Sequence, residues 1–163
     1  MTPPSSPTLT CTQVSYEPER AFLELLLPDM APSMPVLLRA RAVTTAARLG
    51  SQLSAASMAQ FITAMLATLQ PSEPMVLRFS GCRAIVIASE ACDTLTIAAA
   101  APTLLPQLAS LLSSPCEEGV LLALDAVGSI LRANPAAAAQ SEPWLVPTLL
   151  QLWSATMHQQ RAA

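Results

Sequence analysis

The chain has 163 residues, enough for one domain of ordinary size, and is apolar, with 52% hydrophobic and 12% charged residues and a mean hydropathy of +0.46. Its eight basic residues are all Arg, and the net charge of −3 with a pI near 5.0 leaves no basic stripe for direct nucleic-acid binding. Glycines are scattered, the single His158 has no nucleophile or carboxylate beside it, and Cys11, Cys82, Cys92 and Cys116 form no CxxC or Cys/His pairing. No enzyme, cofactor or metal site is expected from these residues.

Residues 1–16 hold Pro3, Pro4 and Pro7 among Ser and Thr, which reads as a disordered lead-in. They contain neither a basic start nor an apolar core, so a secretory signal is not expected and the compartment reads as intracellular. From residue 17 onward the pattern is helical. Glu17 to Leu27 is an apolar helix, followed after a Pro/Ser link by a second helix led by Pro35. Ser54 to Leu69 and then a helix led by Pro74 repeat the arrangement, and Pro102 to Leu112 with a helix led by Pro115 repeat it again. Pro143 to Gln160 begins a fourth unit and has no second helix after it.

The leading prolines are 39 and 41 residues apart. Behind each, the first, fifth, eighth and twelfth residues are mostly apolar: Val36, Ala40, Val43, Ala47; Met75, Phe79, Cys82, Val86; Cys116, Val120, Ala123, Val127. Steps of four, three and four place them on one helical stripe, with Pro suited to the first turn. Short links make neighbouring helices antiparallel. The expected fold is all-α, an α-solenoid of HEAT-type antiparallel helix pairs over residues 17–160. The pairs lie at about 17–49, 54–91 and 102–133, with a single helix at 143–160. On this reading Phe79 belongs to the buried stripe and Thr68 does not, so Phe79→Asp should lower helicity far more than Thr68→Asp. A single-core bundle explains the stripes but not their fixed pitch.

Three stretches without charge, Leu49 to Ser72, Thr94 to Cys116 and Pro143 to Gln160, raise the question of a membrane. The first is broken by Ser and Gln, the second by Pro102 and Pro106, and the third is slightly short, so no spanning helix is expected. The apolar excess is instead what an internal piece of a longer solenoid would show. Trp144, Leu145, Leu149, Leu152 and Trp153 call for a partner helix, and a fragment of a larger protein is the expectation.

Arg39 and Arg78 occupy the same repeat position, and Arg41 and Arg83 stand on the same helices. Two readings are open for them. Salt bridges between stacked units, with Glu73, Glu90 or Asp93 as partners, are the stronger. The other is a cationic row on a concave face that meets acidic cargo or a GTPase.

Leu77-Arg78-Phe79-Ser80-Gly81-Cys82-Arg83-Ala84-Ile85 resembles the second helix of a HEAT repeat, with an aliphatic–Arg opening and a small residue after it, and Leu38-Arg39 followed by Ala42 is similar. The third copy has Glu118-Gly119 there. Together with Phe22 to Pro28, Ser33 to Leu49, Ser54 to Gln70 and Leu104 through Ile130, these stretches resemble a middle portion of the importin-β (karyopherin) superfamily. Ala47 and Val86 depart from it where the family has aromatics. The resemblance implies a receptor that shuttles between cytoplasm and nucleus and carries basic protein cargo such as histones or ribosomal proteins. It implies release by the Ran GTPase acting on repeats outside this stretch, with neither nucleic-acid contact nor membrane insertion. The same fold also serves cytoplasmic HEAT or armadillo scaffolds and regulatory subunits, and that alternative is open.

Overall fold

A computed structural model describes residues 17–91 and 94–162; the expected lead-in at 1–16 lies outside the described residues. Among the described residues seven helices follow one another. The first, α1, is continuous through Pro18–Ala21, a π-helical turn at Phe22–Leu26 and Leu27–Asp29. Its wide turn has a local cause. Pro28 has no N–H for the carbonyl of Glu24, and the helix accommodates this by opening, with the Leu27 N–H donating to the Phe22 carbonyl. Then come α2 (Val36–Leu49), α3 (Ala55–Thr68), α4 (Met75–Ala91), α5 (Thr94–Leu112), α6 (Glu117–Ala133) and α7 (Pro135–Ala162).

The helices form two layers of an α-solenoid: three antiparallel pairs, α1–α2, α3–α4 and α5–α6, and then α7 alone. Within one layer α2, α4 and α6 pack closely side by side. Their buried faces are built from small residues, Ala42, Ala46 and Ala47 on α2, Gly81, Ala84 and Ala88 on α4, Ala123 and Ala126 on α6. Small side chains let helix axes approach to the short end of the usual ~8–10 Å range. The other layer, α1, α3, α5 and α7, touches more lightly, and open grooves lie between successive members. Large side chains fill the space between layers: Phe22, Phe61, Met65, Leu69, Leu77, Ile85, Leu104, Leu108 and Ile130 are all fully buried. Phe22 and Phe61 hold equivalent positions in α1 and α3 and meet edge to face at 6.4 Å, which couples the first two units.

Prolines act differently from the simplest expectation. Pro35 precedes the first turn of α2 as its N-cap, and its carbonyl accepts from Leu38 and Arg39. Pro74 does the same for Leu77 and Arg78. In the third unit Cys116 is the cap, so Pro115 stands one residue further out. Nor do Pro102 and Pro143 open their helices. Each is the ninth residue of one that starts earlier, at Thr94 and at Pro135. An interior proline frees the carbonyl four residues back, and for Pro102 that is Ala98. The Asn134 side-chain amide donates to it at 3.4 Å, while the Asn134 Oδ1 accepts from the Ala136 and Ala137 N–H groups at the start of α7. One side chain thus caps α7 and satisfies the α5 break.

The buried face of the second helices is wider than a single stripe. On α4 it includes Leu77, Arg78, Gly81, Cys82, Ala84, Ile85 and Ala88, whereas Met75 is exposed and Phe79 and Val86 are half-buried. The reason is topological: α4 is flanked by α2 and α6 and backed by its own partner α3, so most of its circumference is covered. Thr68 is buried too, its hydroxyl donating to the Met65 carbonyl at 2.7 Å and lying against Gly81. Contrary to the sequence expectation, an Asp at 68 meets a buried site, and the Phe79/Thr68 pair does not separate core from surface. Among the described residues no helix is long and apolar enough to cross a membrane.

Candidate protein-binding surface

The four arginines singled out by sequence divide into two buried and two exposed. Arg39 and Arg78 are only 4% and 7% exposed. Each does two jobs. Its Nε donates to a carbonyl nine residues upstream, Met30 for Arg39 and Leu69 for Arg78, which ties the end of the first helix of the pair to the second. Its terminal nitrogens then reach forward to the next unit. Arg39 makes a two-pronged contact with the Glu73 carboxylate at 2.9 and 2.8 Å, and Arg78 donates to Ser110 Oγ at 2.8 Å. Glu73 was among the partners expected from sequence; Ser110 was not, since a lone Ser gives no signal. The Arg39 guanidinium holds the Glu73 carboxyl below the usual carboxylate range, against the opposing effect of partial burial.

A second link was not legible in sequence. Ser54, the N-cap of α3, and Ser57 both donate to the Glu19 carboxylate of α1, the latter at 2.6 Å. These hydroxyl contacts, with the Ser54 bond foremost, lower the Glu19 pKa from its ordinary value. Cys82, expected as a core thiol, is buried, and burial pushes its pKa up to about 12 despite the opposing charge of Arg78. Cys11 and Cys92 lie outside the described residues, as does the His158 side chain.

With Arg39 and Arg78 engaged inside, what the layer α2–α4–α6 offers outward is a different set. Leu37 on α2 and Val76 on α4 are equivalent positions and both are exposed, as is Leu121 on α6. Charges flank these apolar side chains unevenly. On α2 stand Arg41 and Arg48, exposed and without an ion pair among the described residues, and the helix holds no acidic residue. In the middle Arg83 of α4 pairs with Glu118 of α6 at 3.2 Å, both well exposed. On α6, Glu117, Glu118 and Asp125 are all exposed, with Arg132 the counter-charge at its end. The face therefore runs from cationic at α2 to anionic at α6, with an exposed apolar side chain on each helix.

No cluster of His, Cys, Asp and Glu among the described residues is close enough to hold a metal. No protein-family model matches the chain, and no curated protein matches it.

Proposed function

We propose that this solenoid binds protein partners across the outward face of α2, α4 and α6, as a segment of a nuclear import receptor of the karyopherin type. The observation that carries the reading is a face on which each helix holds an exposed apolar side chain, Leu37, Val76 and Leu121, between opposite charges. Apolar side chains held exposed on adjacent helices and rimmed by charge are the composition of a protein-binding patch. The repeat pitch and the aliphatic–Arg opening of two second helices add the family resemblance. On this reading the acidic end, Glu117, Glu118 and Asp125, meets a basic cargo such as a core histone or a ribosomal protein. Arg41 and Arg48 set its orientation, and Ran-GTP releases the cargo from the whole receptor.

The test is a pull-down of a core-histone dimer on the chain, alongside a variant with Glu117→Lys, Glu118→Lys and Asp125→Lys. The dimer is expected in the bound fraction, and the charge reversal is expected to weaken it at least tenfold at low salt, where exposed charges act most strongly. Retention of full binding by the reversed variant, or absence of the histone altogether, overturns the cargo assignment. Binding that is insensitive to Ran-GTP in the whole protein favours a static scaffold over a transport receptor.

A further inference from the structure

Arg78 is a buried cation without an anion. Its repeat equivalent Arg39 meets the Glu73 carboxylate through both terminal nitrogens, whereas Arg78 meets only the neutral Ser110 hydroxyl, through Nη2. Among the described residues Arg78 forms no ion pair, and its Nη1 makes no hydrogen bond. The sequence explains the difference: residues 94–116, which form α5 and its link to α6, contain no Asp or Glu. Where Glu73 precedes Pro74, the next unit has Ser114 before Pro115. Glu118, just beyond, is committed to Arg83. An arginine only 7% exposed gives up most of its hydration, and one carbonyl and one hydroxyl return part of that cost.

What the site has in place of a carboxylate is an accessible serine. Ser110 Oγ accepts from Arg78 Nη2 at 2.8 Å, and Ser110 is exposed, two residues before the end of α5. We propose that Ser110 is a phosphorylation site, and that its phosphate, held by the Arg78 guanidinium, is the anion that locks the second unit to the third. The donor is ATP and the catalyst a serine/threonine kinase. Ser110 Oγ bonds to the γ-phosphorus, the bond from that phosphorus to its bridging oxygen breaks, ADP leaves, and the hydroxyl proton passes to the kinase's base. The hydroxyl's own donation to the Gln107 carbonyl, at 2.8 Å, is lost. In exchange the phosphate brings three acceptor oxygens and a charge of about −1.5 to −2. Two of those oxygens match the terminal nitrogens of Arg78 as the Glu73 carboxylate matches those of Arg39.

Two features of the place pull in opposite directions. In the last turn of α5 a phosphate meets the negative end of the helix dipole, equivalent to roughly half a charge. The guanidinium carries a full charge, stands at contact distance and is sheltered from water, so attraction prevails. Unmodified, this junction rests on neutral acceptors; phosphorylated, it becomes a clamp of the Arg39–Glu73 kind between α4 and α5. Ser113 and Ser114 are the neighbouring hydroxyls, but Ser114 accepts from the Cys116 N–H and neither bonds to Arg78. The inference concerns the junction between stacked units and stands apart from the cargo reading of α2, α4 and α6.

The test uses the full chain with phosphoserine installed at position 110 by genetic-code expansion. Urea melts are expected to show an unfolding constant about tenfold lower than in the unmodified chain, and no such gain in an Arg78→Gln background. The phosphorus NMR signal supplies a readout that needs no second variant to fold. It should titrate below the ordinary phosphoserine value of about 6 in the folded chain and return to it in urea. Phosphoserine at position 114 should do neither. Incubation of the unmodified chain with ATP and the kinases of a eukaryotic cell lysate should place a phosphate on Ser110, located by mass spectrometry. No gain in stability, a gain kept by Arg78→Gln, or titration at or above the ordinary value overturns the clamp. Phosphate on Ser113 or Ser114 with none on Ser110, or none on any of the three, overturns the modification site.

Discussion

Arg39 and Arg78 perform the same pair of tasks 39 residues apart, and among the described residues of the third unit nothing performs them. There the corresponding stretch reads Glu118-Gly119-Val120, and beside the exposed Arg83–Glu118 pair α6 meets α4 by close approach: a Cβ on Gly119 would lie 2.8 Å from the Phe79 ring. The contrast separates two ways of joining stacked units. A buried guanidinium fixes geometry, because its planar donors must meet a carbonyl behind and an acceptor ahead. A glycine fixes distance, because it admits an aromatic edge against the backbone. The first is sensitive to loss of one partner and the second to gain of one methyl group.

The largest expected effect comes from the polar junction. Arg39→Ala leaves the Glu73 carboxylate half-sheltered and the Met30 carbonyl without its donor, so a loss of about 3 kcal/mol is expected. Arg78→Ala leaves a neutral Ser110 behind and is expected to cost less, about 2 kcal/mol. Arg41→Ala and Arg83→Ala, at exposed positions, should stay within about 0.5 kcal/mol. Urea midpoints followed by circular dichroism rank the four. A common loss at all of them would erase the distinction between clamp and surface.

The glycines give a smaller and two-signed effect. A Cβ on Gly81 would come within 2.5 Å of Thr68 Oγ1 and 2.8 Å of Leu69 Cδ2, both on fully buried side chains with no room to retreat. Gly81→Ala is therefore expected to destabilise by about 1–2 kcal/mol, the overpacking cost exceeding the helix-propensity gain. Gly128 meets only the Arg132 guanidinium tip at 3.3 Å, the far end of a flexible exposed side chain. Gly128→Ala is expected to stabilise by about 0.5–1 kcal/mol. Thermal melts of the two variants should move in opposite directions; movement in the same direction would mean that α4 is not held against α3 as described.

How far the chain could be read before folding follows from what each feature depends on. The two-layer pitch was legible because it rests on repeated residue types at fixed spacing, as with Pro35 and Pro74 or Arg39 and Arg78. The true starts of α5 and α7 were not, because Pro102 and Pro143 look like helix starts until the Asn134 amide is seen taking up the Ala98 carbonyl. Thr68 looked like surface because its burial depends on an absence, the missing side chain of Gly81 on another helix. The outward apolar side chains are hidden for a similar reason. Leu37, Val76 and Leu121 are indistinguishable in sequence from the core residues beside them, and only the packing of α2, α4 and α6 decides which aliphatic side chains face out.

The smallest effect is a pH dependence that tells the two junctions apart. Glu73 has its pKa lowered in the folded chain, chiefly by the hydrogen-bonded Arg39, so folding favours its ionised form. Its contribution to stability is fully present above the unfolded carboxylate value of about 4.3 and is lost as pH falls through the lower folded value. Glu19, lowered by Ser54 and Ser57, acts in the same direction. Urea midpoints measured from neutral pH down into this range should therefore fall, and Glu73→Gln should flatten the decline while leaving the part due to Glu19. Gly119 and Phe79 carry no titratable group, so Gly119→Ala should shift the whole curve without altering its slope. An unchanged acid limb in Glu73→Gln would show that the Arg39 clamp holds the first two units by shape alone, as the Gly119–Phe79 contact does where α6 meets α4.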